Sequence, residues 1–440
     1  MAKKKRALAS PFVPVEEQPY KIPDNWCWTY GSMVLEAMET QKPIGDAFDY
    51  IDIDAIDNQK QMVNNPKRLS VSEAPSRASR KLHAGDTVFS LVRPYLKNIA
   101  YIDDSLAHCI ASTGFFVCTP KEFLNSRYLY QLMVSSYMVD GLNQYMKGDN
   151  SPSIRKDDIE RFPFPLPPLS EQQRIVDRIE SLFAKLDEAK EKAQAVVDGF
   201  ELRKSAILHK AFSGELTERW RKEHSTDQWF TSTLGQYTNS QYGYTESATQ
   251  EPIGPKFLRI TDIQDGTVDW DKVPYCNISE DDLEKYLIRS GDIVIARTGA
   301  TTGKSYLIAD DIKAVFASYL IRLTMKQTGL IATYLYYFMQ SPSYWHQITE
   351  FSAGIAQPGV NAKKLKRVEL PIPPVEEQRE IVFILDKLFR KEQQAQSAAK
   401  AVLSQIDTMK KAILARAFRG GLGTNDPAEE WAGALVKAVL

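Results

Sequence analysis

From residue 170 to 212 the apolar residues fall into a seven-residue rhythm. Val176, Phe183, Val197 and Ala211 share one heptad position, and Ile179, Leu186, Ala193, Phe200 and Ile207 sit three further on. Ile175, Leu182, Ala189 and Val196 flank them. A rhythm sustained over several heptads predicts a coiled-coil seam rather than the broader stripe of a globular helix. Ser170 with Gln173 has the capping-box spacing, and Gly214 reads as the stop. A second helix, 375–418, carries the same seam: Val382, Phe389, Leu403 and Ala417 with Leu385, Ala399, Ile406 and Ile413. Glu392 interrupts it where the first helix has Leu186. Each seam needs a partner, and the simplest partner is the other helix. A pseudo-twofold axis perpendicular to the helices makes the pair antiparallel. About 40 helical residues at ~1.5 Å each would give a rod of about 60 Å.

Before each long helix the period changes to that of strands. Thr87 to Val92 and Gly114 to Cys118 are β-branched or aromatic runs, bounded by the turns Ala84-Gly85-Asp86 and Thr119-Pro120. Residues 125–143 read as a helix. The block 225–366 has strand candidates at 257–260, 291–296 and 317–323, and a helix at about 330–340. Before each long helix stands a proline run, 162–168 and 371–374. Proline lacks an N–H and disfavours helix before it, so both runs are expected to be extended.

The two halves share one frame. Pro167-Pro168 returns 206 positions on as Pro373-Pro374, Glu171-Gln172 as Glu377-Gln378, Leu182-Phe183 as Leu388-Phe389, and Ala211-Phe212 as Ala417-Phe418. The offset reaches Gly85-Asp86 and Gly291-Asp292, and Tyr128-Leu129-Tyr130 and Tyr334-Leu335-Tyr336, through otherwise divergent sequence. A strict frame with divergent contents implies two copies of one architecture facing two different targets. The fold class expected is α+β: two strand-rich α/β domains alternating with two long helices, as a pseudo-twofold internal repeat.

Composition narrows the function. No apolar run approaches the ~20 residues of a membrane span. Lys3-Lys4-Lys5-Arg6 is followed by no apolar stretch, so it reads as a solubilising tail rather than a secretory signal. Cys27, Cys109, Cys118 and Cys276 have no CxxC spacing, which argues against zinc and disulfides and for a reducing cytoplasm. The net charge is −1, from 55 basic and 56 acidic residues, which does not advertise a nucleic-acid binder without local clustering or basic partners.

Catalytic motifs are missing. Gly299-Ala-Thr-Thr-Gly303-Lys304-Ser305 places three residues between its glycines where a phosphate loop has four, so a Gly-rich turn between strands is expected. Asn65-Pro66-Lys67 is no methyltransferase motif, and Glu188-Ala189-Lys190 spells a nuclease fragment but lies within the helical seam. The basic residues do cluster. Arg77, Arg80 and Lys81 precede the Gly85-Asp86 turn, and Arg93, Tyr95 and Lys97 follow the next strand. In the second copy Arg289 precedes Gly291-Asp292, and Arg297 and Lys304 follow. Arg155-Lys156 and Lys363-Lys364 lie just before the proline runs. Arginine can grip guanine bidentately and lysine can hold phosphate, so these are the candidate DNA contacts. A solvated strand edge is the bland alternative. No catalytic, cofactor-binding or metal-ligating set stands beside them.

Taken together, the chain resembles the specificity subunits of type I restriction–modification systems. The resemblance rests on 166–176 (LPPLSEQQRIV) and 372–382 (IPPVEEQREIV), supported by 204–208, 410–414 and 74–80, and covers nearly the whole chain. It implies a flexible tail at 1–19, target-recognition domains at 20–165 and 225–371, conserved helical regions at 166–216 and 372–422 forming an antiparallel coiled coil, and a terminal helix at 426–440. It implies a non-catalytic, cytoplasmic subunit whose two domains each read half of a bipartite double-stranded DNA site while the helices set the spacing. The implied partners are two methyltransferase subunits using S-adenosylmethionine, and restriction subunits using ATP and Mg2+. The competing reading is a coiled-coil scaffold that binds only proteins.

Overall fold

In the computed structural model, residues 10–225, 228–264, 266–309, 311–326, 329–352 and 359–438 are described. The chain divides into two compact units: residues 1–193 with 401–440, and residues 194–400.

Unit one opens with the strand Cys27–Tyr30, paired antiparallel with Pro163–Leu166. The first proline run is thus extended as expected, and it serves as one strand of a two-stranded ladder, where missing N–H groups are tolerated. A four-stranded sheet runs in the order Lys67–Ser70, Ala47–Ile51, Ile110–Ser112, Ala78–Lys81, and a three-stranded sheet in the order Phe115–Cys118, Thr87–Ser90, Ile99–Tyr101. The expected helix at 125–143 is two helices, Ser126–Val134 and Ser136–Asn143. It breaks at Ser135, whose hydroxyl accepts from the Met138 N–H and caps the second. Tyr128, Leu129, Leu132, Met138 and Leu142 bury one side of this pair in a core with Phe89, Phe116 and Phe164.

Unit two repeats the plan. Phe230–Thr233 pairs with Glu369–Ile372, and a four-stranded sheet runs Thr238–Tyr242, Leu320–Met325, Ile293–Ala296, Ser305–Leu307. The helix Ala332–Phe338 buries Tyr334, Leu335 and Phe338. The glycine-rich segment 299–303 is a turn between strands, as its spacing required. A side chain at Gly303 would meet Ile348 Cγ2 at 2.7 Å, and the N–H groups of Gly303 and Lys304 are used on Ala296 O and Thr301 O within the turn.

The repeated Glu-Gln pair locks both copies. Gln172 Oε1 accepts from the Asn125 N–H, and its amide donates to Phe123 O and Pro167 O. Gln378 does the same with the Ile331 N–H, Gly329 O and Pro373 O. One side chain thereby staples the proline hinge, the long helix and the start of the domain's own helix. Tyr128 and Tyr334 reinforce the staple by donating to Pro165 O and Pro371 O. Glu171 and Glu377 are both fully buried, yet their partners differ. Glu171 accepts from Trp26 Nε1 and Asn425 Nδ2, whereas Glu377 accepts from Trp229 Nε1, Thr217 Oγ1 and Arg221 Nη1.

Within each unit the long helices meet antiparallel. In unit one Lys410 Nζ lies 2.6 Å from Asp187 Oδ1, while Ile175, Val176 and Ile179 share a core with Leu414 and Ala417. In unit two Arg203 Nε lies 2.8 Å from Glu392 Oε2, while Leu208 and Phe212 share a core with Ile381 and Leu385. The seam is only partly that of the sequence. Val176, Ile179, Leu385 and Ile406 are buried, whereas Phe183, Leu186, Phe200, Val382, Phe389 and Leu403 stay half-buried. At the helix ends Leu208 and Leu414 are buried in place of Ile207 and Ile413, because those turns pack against the domain cores as well as the other helix.

Three expectations are refined. The first helix is irregular at Gly199, between Leu169–Asp198 and Phe200–Phe212, although Gly199 keeps a helical backbone (φ −78°, ψ −4°) and its N–H still bonds Ala195 O. There Arg203 Nη2 takes the Val196 carbonyl, and a Cβ at Gly199 would stand 2.5 Å from Arg203 Nη1. The second helix, with Gln405 at the matching position, runs unbroken over Val375–Ala417. The expected tail of 1–19 is fixed in its second half, since Val13 is buried with its N–H on Trp28 O and Phe12 packs on Trp431. Residues 1–9 lie outside the described residues. The terminal helix is short, Gly433–Ala438. Residues 425–432 bind the N-terminal segment instead, through Asn25 Nδ2 to Asp426 O, the Ala432 N–H to Asn25 O and Trp431 Nε1 to Trp26 O.

Candidate nucleic-acid interface

The sheets of each unit gather basic and aromatic side chains where the central strand ends. In unit one four backbone bonds join separate segments there. The Thr113 N–H donates to Arg77 O (2.9 Å), Leu91 to Gly114 O (2.8 Å), Ile154 to Leu91 O (2.9 Å) and Arg93 to Pro152 O (2.8 Å). Arg77, Arg93 and Arg155 are therefore carried by neighbouring segments, with the turn at 147–153 beside them. Arg93 Nη2 also donates to Asn150 O at 2.9 Å. The backbone in this region is strained. Arg93 (φ 48°) and Lys97 (φ 57°) are both left-handed and flank the short 3-10 turn Pro94–Leu96. Each costs about 1 kcal/mol for a residue with a Cβ. Pro94 is buried, while Tyr95 and Leu96 are exposed.

Unit two reaches the same arrangement with different residues. The Val360 N–H donates to Arg297 O (2.9 Å), 206 positions on from the Ile154–Leu91 bond. The Arg297 N–H donates to Tyr319 O (3.0 Å), and its guanidinium lies 4.9 Å from the Tyr242 ring. Tyr242 Oη accepts from the Ala362 N–H, which brings the neighbouring, exposed Lys363 to this edge. Lys304 is exposed beside Ser305–Leu307. Tyr242 and Tyr319 are exposed rings that the sequence reading missed. Nothing in their local sequence marked them. Only the fold puts residues 242, 297 and 319 side by side.

Other candidates lie elsewhere. Lys81 ends the strand that Arg77 precedes and pairs with Glu39 at 2.6 Å, and Arg80 is half-buried next to it. Arg289 stands before Ile293–Ala296 and pairs with Glu284, a strand length of about 13 Å from Arg297. Lys156 pairs with Glu160 at 3.0 Å, and Lys364 donates to Phe351 O.

The Gly-Asp turns also differ in charge. Burial raises the pKa of both Asp86 and Asp292. Asp86 Oδ2 lies 3.6 Å from His83 Nδ1, while Asp292 Oδ2 lies 3.6 Å from Arg322 Nη1. Among the described residues no His, Cys, Asp and Glu group could hold a metal ion, and no helix is long and apolar enough to cross a membrane.

Comparison with known proteins gives this geometry its context. The model of the type I restriction modification DNA specificity domain matches twice, over residues 49–197 and 238–402. The specificity subunit of the type I restriction enzyme EcoKI from Escherichia coli K12 is 26% identical over 317 residues, spanning 70% of this chain and 68% of that one. The EcoDI specificity subunit of Escherichia coli is 24% identical, spanning 84% and 85%. The crystal structure of the HsdS subunit from Thermoanaerobacter tengcongensis superposes with a TM-score of 0.74 at 28% identity, covering 92% of this chain and all of that one. The duplicated frame and the twofold match agree, and the chain belongs to the family of type I restriction–modification DNA specificity subunits, which recognise DNA rather than catalyse a reaction.

Proposed function

We propose that unit one and unit two each read one half of a bipartite, asymmetric duplex site through the strand-exit edges described above. The observation that carries this reading is the shared edge. One backbone bond recurs in both copies (Ile154 to Leu91, Val360 to Arg297), and around it stand cations and exposed tyrosines of different identity. Shared framework with exchanged contents is what two unlike half-sites require. Arg77, Arg93, Lys97 and Arg155 serve the first half-site, and Arg297, Lys304 and Lys363 with Tyr242 and Tyr319 serve the second.

The paired helices set the half-site spacing and dock two methyltransferase subunits, which bring S-adenosylmethionine. Restriction subunits using ATP and Mg2+ complete the assembly in the cytoplasm. With a net charge of −1, the chain relies on those partners for part of the phosphate grip. The test is binding of the chain with its methyltransferase subunits to the duplex identified from methylated adenines in the host genome. Affinity should fall steeply with salt. Arg77→Ala should weaken recognition of the first half-site only, and Arg297→Ala of the second only. Sequence-blind binding, or equal effects on both half-sites, refutes the assignment.

A further inference from the structure

We propose that the turn from Arg93 to Lys97 is a wedge that inserts against a base step of the half-site read by unit one, and that unit two has no counterpart. The inference rests on the DNA-recognition reading above. It starts from backbone geometry that the copies share and side chains that they do not. In the 206-residue frame Arg93 corresponds to Gly299, Tyr95 to Thr301, Leu96 to Thr302 and Lys97 to Gly303. Both segments hold a short 3-10 turn and left-handed residues at the same two frame positions: Arg93 and Lys97 (φ 48° and 57°) flank Pro94–Leu96 in unit one, while in unit two Gly299 (φ 80°) opens the turn Gly299–Thr301 and Gly303 (φ 90°) stands two residues past its end. Unit two meets that requirement with glycine, which adopts it freely. Unit one meets it with arginine and lysine, which do not. The requirement at these positions in unit one is therefore for the side chains, held in spite of the backbone.

The tip those residues flank is stiff and apolar. Pro94 is buried beneath it, the Leu96 N–H donates to Arg93 O, and the Lys97 N–H donates to Pro94 O, both at 2.9 Å. Arg93 is itself tied to Pro152 O and Asn150 O. Tyr95 and Leu96 remain 45% and 40% exposed on the edge that carries Arg77 and Arg155. The opposing charge there is Asp149, exposed in the neighbouring turn. In unit two Thr302 is buried, and the turn presents no large apolar group.

A rigid aromatic–aliphatic pair set between cations suits a base step better than a phosphate ladder. The cations hold the backbone on either side while the apolar tip replaces stacking that the step gives up. Pyrimidine–purine steps unstack most easily, so the first half-site should place such a step opposite Tyr95 and Leu96.

The experiment uses the full chain assembled with its methyltransferase subunits, without S-adenosylmethionine. The target duplexes carry 2-aminopurine at each position in turn, the methylated adenines excepted. Fluorescence should rise at one step of the first half-site and nowhere in the second. A mismatch at that step should tighten binding roughly tenfold, because the unstacking is already done. Tyr95→Ala with Leu96→Ala should abolish both effects while recognition of the second half-site persists. Specific binding with no such rise, or a rise that survives in the double variant, overturns the wedge and leaves recognition standing. Failure of the double variant to assemble with methyltransferase assigns the tip to a protein contact and overturns it too. Salt-independent, sequence-blind binding by the wild type overturns the wedge and the recognition reading together.

Discussion

The two units hold one scaffold in common and differ in what is set on it. The bonds of Gln172 and Gln378 match one for one, as do those of Tyr128 and Tyr334. The neighbouring Glu171 and Glu377 are equally buried, but Glu377 touches the guanidinium of Arg221, whereas no cation lies within ion-pair reach of Glu171 among the described residues. Farther out, Leu186 and Met409 in unit one occupy the frame positions of Glu392 and Arg203 in unit two. At the strand exits the copies share little but the backbone. Sameness is greatest among buried groups, apolar and polar, where a lost contact or partner is costly, and difference grows toward solvent, where substitution costs little.

The buried glutamates offer the sharpest test. Glu377→Gln should destabilise unit two by about 3 kcal/mol, because it strands the Arg221 charge, whereas Glu171→Gln should cost unit one about 1 kcal/mol. Hydrogen exchange of Phe230–Thr233 and of Cys27–Tyr30 reports each unit separately. Equal losses would show that the difference in partners carries no energy.

The helix pair comes next. Arg203→Ala removes both the Glu392 bond and the cap on Val196, and should cost about 1–2 kcal/mol. The double change Arg203→Met with Glu392→Leu copies unit one's contents into unit two, and should recover most of that loss in thermal unfolding. No recovery would mean that the cap, not the ion pair, matters.

Much of this was legible in the sequence, but unevenly. The 206-residue frame, the extended proline runs and the antiparallel helix pairing follow from spacing, because spacing is what a repeated backbone preserves. The heptad pattern continues through Gly199, so nothing in it marks the irregularity there. The grouping of Arg77 to Lys81 into one cluster also failed. A strand carries its two ends apart, so Arg77 reaches the edge and Lys81 does not.

Smaller effects separate the units further. Arg93→Gly with Lys97→Gly copies the other unit's turn and relieves two left-handed residues. Relief of about 1 kcal/mol at each, partly offset by the greater unfolded-state freedom of glycine, should raise stability by about 1 kcal/mol for the pair, while the salt dependence of DNA binding becomes shallower. Smallest is the response to pH. Burial raises the pKa of Asp86 in the folded state, so the fold binds this proton more readily than the unfolded chain does. Its effect is to make stability fall as pH rises from the ordinary carboxylate range through the raised value. Asp86→Asn should flatten that slope in unit one and stabilise it at neutral pH. Asp292→Asn should do less, because it also leaves Arg322 without its carboxylate. Urea unfolding at several pH values checks both.

The sequence by itself determined that this chain is a duplication, where its proline hinges and two long helices lie, and which family it belongs to, because periodicity and repeated motifs are local records of backbone shape. Tertiary structure alone decided which side chains face outward together. Tyr242, Arg297 and Tyr319 become neighbours only when Thr238–Tyr242, Leu320–Met325 and Ile293–Ala296 are laid side by side. Hydrogen bonding between strands sets that adjacency, and the register that sets it is not written in any one segment.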